Sequence, residues 1–328
     1  MTARLTTGGT VHGLDAVTVE NDILRIAVLP QLGGRIWSLI HVPSGRELLW
    51  HNPQLPPAQA SFGDGYETGW AGGWDEIFPS DAPAEIAGVA YPDHGEIWSL
   101  PANLTVIEDS PERIVIKLAA EGRVTGARFD RWLTLVAGES ILRSRYVIQN
   151  RSDAPLKFLW KPHASLDLRG PARLDLPARR VIVDREVSTG FTATEAHWPY
   201  ATGPDGQFDL REVPAGDSGQ VHFFDAVELD AGWCAVTHTE ERIGFALAFD
   251  PLVLPYICVF GAYEEAHGVN TIITEPCTAY PYRLDQAIAQ NTVDHLAPGA
   301  TLDTEILAIV YTGLNHVSHV TSAGAVIA

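Results

Sequence analysis

Polar and apolar residues alternate along most of this chain, and this two-residue period constrains its fold more than any other feature. The clearest runs lie at residues 35–41, 113–118, 129–136, 141–148 and 302–311. They are rich in β-branched and aromatic residues, and turn-forming glycine, proline and aspartate separate them at short intervals. Helical periodicity is scarce, since residues 284–290 could form at most two turns. The sequence therefore predicts an all-β fold.

The number of strand candidates is too large for a small barrel. No internal repeat with a fixed period is visible, which argues against a propeller. We therefore expect one large sandwich of two extended antiparallel sheets, formed by a single domain over residues 1–328. Residues 188–219 are rich in Gly, Pro and Asp and are predicted to form a long surface excursion, because strand-like runs resume after them.

Composition restricts the partners and the compartment. The 328-residue chain has a net charge of −19, which disfavours nucleic-acid and anionic-membrane surfaces because these need clustered Lys and Arg. Its three cysteines form no CxxC pair, which suits a reducing compartment. The first residues lack the apolar core of a signal peptide, and no apolar run is long enough to span a membrane. We expect a soluble, cytoplasmic protein.

Three residues that can transfer protons stand in unusual neighbourhoods far apart in the sequence. His94 lies between Asp93 and Gly95, His163 follows Lys161-Pro162, and Glu275 precedes Pro276. Two imidazoles and one carboxylate are the groups needed to move a proton onto one oxygen and off another. The alternatives are structural histidines and an edge glutamate that is solvated or paired with Arg283.

These three residues also have predicted positions relative to strands. His163 is expected at the end of the strand-like run 155–160, and Glu275 at the end of the run 269–274. We expect Pro276 to end regular pairing there, because proline cannot donate to a ladder.

The segment Gly69-Trp-Ala-Gly-Gly-Trp-Asp-Glu offers groups suited to a polyol. Its two tryptophans, Trp70 and Trp74, provide stacking surfaces, and Asp75 and Glu76 provide acceptors for hydroxyl groups. Trp98, which closes the His94 loop, could pack on the apolar face of a sugar in the same way. The alternative is that the tryptophans of the Gly-rich loop fill one end of the core.

Five motifs, which together span nearly the whole chain, resemble those of the aldose 1-epimerase (galactose mutarotase-like) superfamily and follow the same order. They are Leu29-Pro-Gln-Leu-Gly-Gly-Arg-Ile-Trp37, the His94-Gly95 loop ending at Trp98, His163, Glu275-Pro276 and Leu296-Ala-Pro-Gly299. The resemblance implies the β-supersandwich of that family. It also implies Glu275 as catalytic base, His163 as catalytic acid and His94 as a sugar-binding histidine.

The reaction implied by the resemblance is interconversion of sugar anomers through ring opening, with no cofactor and no metal. Its substrate would be a monosaccharide or the reducing end of an oligosaccharide. Simple mutarotases carry an arginine shortly before the first histidine, whereas residues 76–93 contain no Arg or Lys. The Trp74-Asp75-Glu76 segment occupies that region instead, so a different substrate preference is expected.

Other functions remain open at this stage. One is a non-catalytic carbohydrate-binding module, since fold does not fix function. Another is a metal-assisted sugar isomerase or lyase, in which His94, Glu96 and His163 would ligate a divalent ion. A hexose-phosphate epimerase is disfavoured because it would need an arginine cluster. The sequence also leaves open whether the chain forms a homodimer.

Overall fold

Strands dominate the computed structural model, which describes residues 1–265 and 268–328. In chain order the strands are β1 (Arg4–Val11), β2 (Leu14–Glu20), β3 (Leu24–Leu29), β4 (Arg35–His41), β5 (Arg46–Glu47), β6 (Trp74–Ile77), β7 (Ala84–Ile86), β8 (Val89–Tyr91), β9 (Asn103–Asp109), β10 (Arg113–Glu121), β11 (Arg128–Val136), β12 (Ile141–Gln149), β13 (Leu156–Lys157), β14 (Lys161–Asp167), β15 (Ala172–Asp175), β16 (Ala178–Val183), β17 (Glu195–His197), β18 (Tyr200–Gly203), β19 (Gly206–Asp209), β20 (Gln220–Leu229), β21 (Trp233–His238), β22 (Ile243–Ala248), β23 (Tyr256–Glu264), β24 (Val269–Cys277), β25 (His295–Leu296), β26 (Thr301–Thr312), β27 (His319–Val320) and β28 (Val326–Ile327). The α-helix in this part of the chain is α1 (Leu284–Gln290), as the sequence predicts, and short 3-10 turns lie at Pro30–Leu32, Glu67–Gly69 and Ile97–Ser99.

Two large antiparallel sheets form the sandwich. The twelve-stranded sheet has the order β1-β2-β3-β4-β6-β14-β24-β23-β20-β16-β17, with β5 paired to β4. The eight-stranded sheet has the order β15-β21-β22-β26-β12-β11-β10-β9, and four two-stranded sheets complete the described residues. The predicted all-β sandwich of large antiparallel sheets is confirmed.

The core lies between the two sheets. Trp74 on β6 contacts Phe245 on β22 at 6.1 Å between ring centroids, and Tyr146 on β12 contacts Trp160 at 4.7 Å. Leu142, Ser144, Tyr146 and Ile148 share the buried face of β12, as its alternation predicts. Burial of these aromatic and aliphatic side chains is the main force that holds the sheets together.

Three local predictions need correction. The run 155–160 contains only the short β13, which pairs with β25, and His163 lies inside β14 rather than at a strand end. Residues 188–219 contain β17, β18 and β19, and Phe191, Ala201 and Leu210 from this segment are buried in the core. The sequence pattern missed these strands because each is only three or four residues long.

Alternation along the central strands divides their side chains between two environments. On β6, Trp74 and Glu76 face the eight-stranded sheet, while Asp75 and Ile77 face away from it. The same alternation holds for β14, β24, β23 and β20, and it creates a second, outward face in the middle of the larger sheet. In residues 1–265 and 268–328 no helix has the length and apolar character needed to cross a membrane.

Candidate active site

A cavity of about 410 Å³ opens on the outward face of the central strands. Nine of the described residues that line it have side chains that can bind or release a proton: Tyr66, Glu67, Asp81, His94, Lys161, His163, Glu264, Glu275 and Tyr282. The three residues singled out from the sequence therefore lie in one cavity. The volume suits a small organic ligand.

Strand register explains why residues so distant in sequence meet here. His163 on β14 is paired with Asp75 on β6, and Glu275 on β24 is paired with Cys258 on β23. Extending the β14–β24 register from Ser165↔Ile273 by two residues places His163 beside Glu275. Neighbouring strands lie about 4.8 Å apart, so the imidazole and the carboxylate start from adjacent positions on the same face.

A buried hydrogen-bond network holds the His163 ring. Its Nδ1 lies 3.0 Å from Asp75 Oδ1 and 3.3 Å from the Tyr66 hydroxyl. The Tyr66 hydroxyl also donates to Asp75 Oδ2 at 2.9 Å. Because Nδ1 is occupied by these partners, Nε2 is the ring nitrogen left for a ligand.

Asp75 is the carboxylate behind this histidine and is 3% exposed. Arg35 forms an ion pair with its Oδ2 at 2.6 Å. Burial alone would raise the pKa of Asp75, but the Arg35 guanidinium and the His163 imidazole hold the pKa at about 2. Asp75 is therefore an ionised carboxylate that holds the His163 ring, and it does not line the cavity as a sugar contact would.

Lys161 supplies a buried cation two residues before His163 on β14. Its Nζ lies 2.6 Å from both Asp81 Oδ2 and Glu275 Oε2. Burial would lower the pKa of Lys161, but Asp81, Cys258 and Glu275 raise it well above the usual value. The ammonium group therefore bridges two carboxylates and fixes the position of Glu275. The predicted alternative, a pair between Glu275 and Arg283, is wrong, since Arg283 pairs with Asp285.

Pro276 ends the strand pairing on one side only. Pairing of β24 with β23 continues through Ile257↔Pro276 to Tyr256↔Cys277, whereas pairing with β14 stops at Ile273. Extending the β14–β24 register by three residues places Pro162 opposite Pro276. Since neither proline has an N–H to donate, the ladder is interrupted beside the two proposed catalytic residues.

His94 reaches the same cavity from a loop in which its own φ is +54°. Its Nδ1 lies 2.9 Å from Asp93, its Nε2 lies 3.5 Å from Asp81, and its ring stacks on Tyr66 at 3.9 Å. Burial lowers the pKa of His94, but Asp81 and Asp93 outweigh it and raise the pKa overall. The His94 ring is therefore held in one orientation at the cavity wall.

Two predicted sugar contacts lie on the wrong face of β6. Trp74 is fully buried against the other sheet, and Glu76 binds Tyr146, Trp160 and Arg131 in the core. Burial raises the pKa of Glu76 to about 7, despite Arg131 and these hydrogen bonds. Neither side chain lines the cavity, so the expected sugar-binding role is corrected to a core role for both.

The tryptophan that lines the cavity is Trp70, four residues before Trp74 in the same Gly-rich segment. It lies 6.4 Å from His163 and 6.2 Å from Phe260 between ring centroids. The other tryptophan predicted to bind sugar, Trp98, is 4% exposed and packs edge-on against Tyr66 at 5.1 Å. Trp98 thus supports the wall from behind, and Trp70 provides its indole surface.

The alternative metal set of His94, Glu96 and His163 does not assemble. Glu96 is turned away from His94 and accepts hydrogen bonds from the Val124 and Thr125 backbone and from the Thr125 hydroxyl, at 2.6–3.2 Å. Among the described residues no group of three or more His, Cys, Asp or Glu side chains could hold a metal ion.

Sequence reasoning missed Tyr66, Asp81 and Lys161 in the cavity wall, whereas Trp70 is one of the two tryptophans predicted to offer a stacking surface. Lys161 carried the strongest signal, because a lysine between Trp160 and Pro162 in an apolar run must be paired if it is buried. Tyr66 and Asp81 gave no such signal. Their positions depend on turns between β5 and β8 that alternation does not predict.

Solved structures with this fold were found by comparison. The chain matches a putative aldose 1-epimerase from Klebsiella pneumoniae with a TM-score of 0.71 and 18% identity, covering 94% of this chain and 82% of that one. It matches a galactose mutarotase-like protein from Clostridium acetobutylicum with a TM-score of 0.68 and 10% identity, covering 95% and 99%. A putative aldose 1-epimerase from Escherichia coli K12 has a TM-score of 0.64 and 16% identity, covering 90% and 98%.

These TM-scores show a shared fold, and the galactose mutarotase-like fold expected from the motifs is confirmed. No curated protein matches the sequence significantly. Residues 11–309 match the family described as Domain of unknown function (DUF4432), so the chain belongs to that family.

Proposed function

We propose that this protein is an aldose 1-epimerase-like isomerase that interconverts the anomers of a free sugar by acid–base ring opening. The observation that carries the proposal is the meeting of His163 and Glu275 in one cavity, on adjacent strands, with Asp75 behind the imidazole. Ring opening requires one group to remove the proton of the anomeric hydroxyl and another to protonate the ring oxygen. The two residues supply these groups.

His163 is the proposed acid. Asp75 accepts from Nδ1 at 3.0 Å, which favours the form with a proton on that nitrogen and stabilises the imidazolium. The Nε2 proton of the imidazolium would pass to the ring oxygen as the C1–O5 bond breaks. On reclosure Nε2 would take the proton back from the hydroxyl that attacks C1.

Glu275 is the proposed base. Lys161 contacts its Oε2, so we assign Oε1 to the anomeric hydroxyl. The carboxylate would take the hydroxyl proton while the C1 carbonyl forms, and rotation about the C1–C2 bond would then expose the other face. Reversal of both transfers closes the ring as the other anomer.

His94 and Trp70 are the proposed sugar contacts. His94 lies 6.0 Å from His163 between ring centroids, close enough to bind an oxygen near the reacting atoms. Trp70 offers an indole face for the apolar side of a pyranose ring, a common mode of aromatic contact. Together they would hold the sugar between the sheet and the loops, and positioning of this kind adds to the rate.

The test is anomer-exchange NMR on a panel of free aldoses, with wild type, Glu275→Gln and His163→Asn. Glu275→Gln keeps the side-chain size, His163→Asn puts a smaller polar group in place of the imidazole, and each removes a proton-transfer group, so we expect the catalysed rate to fall by about 10²–10⁴ in each variant. Thr321→Ser, at a turn in the C-terminal segment far from the cavity in sequence, serves as the control and should keep the wild-type rate.

Binding measured beside turnover separates the proposed enzyme from a binding module, because only an enzyme loses catalysed exchange in a variant that still binds the sugar. Ligand-detected NMR should show that Glu275→Gln still binds the sugars that wild type converts. Exchange at the buffer rate for every sugar with folded wild-type protein would refute the proposed activity.

A further inference from the structure

The cavity has a polar end and an apolar wall, and strand register gives their separation. Glu275 on β24 is paired with Cys258, at the polar end. Two residues along each strand, Ile273 pairs with Phe260, and Phe260 pairs with Phe223 on β20. Two strand residues span about 6.6 Å, a distance comparable to the width of a pyranose ring.

The apolar wall continues beyond this row. The next pair on the same face is Val221 with Ala262, and both line the cavity. Two further carboxylates, those of Glu67 and Glu264, also line the cavity. Glu67 is exposed, and Glu264 lies two residues beyond Ala262 on β23. Glu67 and Glu264 therefore lie at the outer end of the cavity, and the row of side chains next to the reacting groups consists of Ile273, Phe260 and Phe223.

This apolar wall determines which substituent of a bound sugar can lie two strand residues away from Glu275. An aromatic ring can stack on C–H groups of any sugar, but Ile273 offers a hydroxyl neither a donor nor an acceptor. A hydroxyl pressed against it would lose its hydrogen bonds to water without replacement, which disfavours binding. A methyl group at that position would instead gain from burial.

The charged side chains of the cavity exclude an anionic sugar. Among the described residues that line the cavity, Lys161 is the sole Lys or Arg, and it already contacts Asp81 and Glu275. A phosphate or carboxylate on the sugar would meet no uncommitted cation. The lining therefore favours a neutral ligand with an apolar group against Ile273.

We propose that the cavity selects 6-deoxyhexoses, with the anomeric carbon between His163 and Glu275 and the C5 methyl group against Ile273, Phe260 and Phe223. This orientation rests on the proposed function, because the acid and base define where the anomeric carbon lies. The apolar row then contacts the substituent on C5, which lies on the other side of the ring oxygen from the anomeric carbon.

The test is equilibrium binding, measured by calorimetry, for pairs of sugars that differ only in the C6 hydroxyl. The pairs are L-rhamnose with L-mannose, L-fucose with L-galactose, and 6-deoxy-D-glucose with D-glucose. A hydrophobic site discriminates a group of this size by about tenfold or more, so at least one deoxy sugar should bind about tenfold tighter than its partner. Equal or tighter binding of the C6-hydroxyl sugar in every pair, or no binding of any deoxy sugar, overturns the inference.

Two variants at one position locate the selecting wall. Ile273→Val and Ile273→Thr remove the same δ-methyl group and are both β-branched, but only threonine adds a hydroxyl. We expect Ile273→Val to keep the deoxy preference and Ile273→Thr to reduce it several-fold. The same ratio in both variants would show that this wall does not select the methyl group.

Binding and turnover fail in different ways. If deoxy sugars bind preferentially but no anomer exchange is catalysed, the proposed activity fails and the ligand class stands. If exchange is catalysed without preference between the partners of any pair, and their binding is equal, the ligand class fails and the activity stands.

Discussion

Asp75 and Glu76 are adjacent on β6 and equally buried, yet they have opposite protonation behaviour. Asp75 lies on the outward face of β6 behind His163, Arg35 lies 2.6 Å away, and the pKa of Asp75 is held at about 2. Glu76 faces the core, where its partners are Arg131 at 3.1 Å and two neutral donors, and burial raises its pKa to about 7. Two neighbouring residues of one strand thus differ in charge state: Asp75 is ionised at neutral pH, whereas Glu76 has a pKa near neutrality.

The difference shows that burial alone does not set a carboxyl pKa. Both side chains lose water, but Asp75 has a close cation, a histidine and a tyrosine hydroxyl aimed at its two oxygens. Glu76 is stabilised less, so its protonated form competes. We infer that Asp75 holds the acid His163 in place, while Glu76 joins the two sheets.

The largest expected effect is on activity. In Asp75→Asn the negative charge is lost and the amide N–H can donate to Nδ1, which favours the tautomer without a proton there, so the anomer-exchange rate should fall by about 10²–10⁴. In Glu76→Gln the hydrogen bonds to Tyr146 and Trp160 are on the core side, so the rate should stay within a few-fold of wild type. Equal losses in the two variants would show that the faces are not functionally distinct.

The next effect is on stability, through the two arginines. Arg35→Met leaves the buried charge of Asp75 without its cation and should cost about 3–5 kcal/mol of unfolding free energy. Arg131→Met should cost less at pH 6, because Glu76 can take up a proton instead. Urea unfolding at pH 6 measures both, and a larger loss in Arg131→Met would contradict the assignment.

The third effect is a pH dependence with a definite sign. The folded pKa of Glu76, about 7, lies above its ordinary value of 4.5, so the folded state binds this proton more tightly. That contribution to stability is fully present below about pH 4.5 and is lost as the pH rises to about 7, by about 3 kcal/mol. Glu76→Gln should remove this decline in urea titrations between pH 4.5 and 8. An unchanged decline would disprove the raised pKa.

Asp75 should behave in the opposite way. Its pKa is lowered from 3.8 to about 2, so its contribution is present above about pH 4 and is lost as the pH falls toward 2. Asp75→Asn should therefore remove a loss of stability between about pH 4 and 2 that Glu76→Gln keeps, as urea titrations over that range would show. The Asp75→Asn and Glu76→Gln variants are therefore controls for each other.

The smallest effect comes from two tyrosines that each donate a 2.9 Å hydrogen bond to one of the carboxylates. Tyr66→Phe removes the bond to Asp75, and Tyr146→Phe removes the bond to Glu76. Each should cost about 1 kcal/mol of stability. Only Tyr66→Phe should also slow anomer exchange, by several-fold, and a slower rate in Tyr146→Phe alone would reverse the proposed roles.

Much of the fold could be predicted from alternation, because long strands with one buried face carry a strong two-residue period. β4 and β12 show this, with bounds within one residue of those predicted. The short β17, β18 and β19 carry too few residues for a period. Pairing between distant strands also cannot be inferred from local pattern, so the interruption between Pro162 and Pro276 is visible only in the register.

The site was partly predictable for a similar reason. His94, His163 and Glu275 stand in distinctive local sequences, and all three line the cavity. The faces of β6 were the difficulty, because its four residues are all buried and no polar alternation marks the outward side. The sequence therefore does not separate Trp74, Asp75 and Glu76, although their side chains lie on two different faces of β6.

The most direct test of the account is a double-mutant cycle on the anomer-exchange rate, with Glu275→Gln, His163→Asn and the double variant. If the two residues act in one coupled proton transfer, their losses are not additive. We predict that the double variant is within a few-fold of the slower single variant. A double variant whose loss equals the product of the two single losses would contradict the claim that His163 and Glu275 work as one acid–base pair.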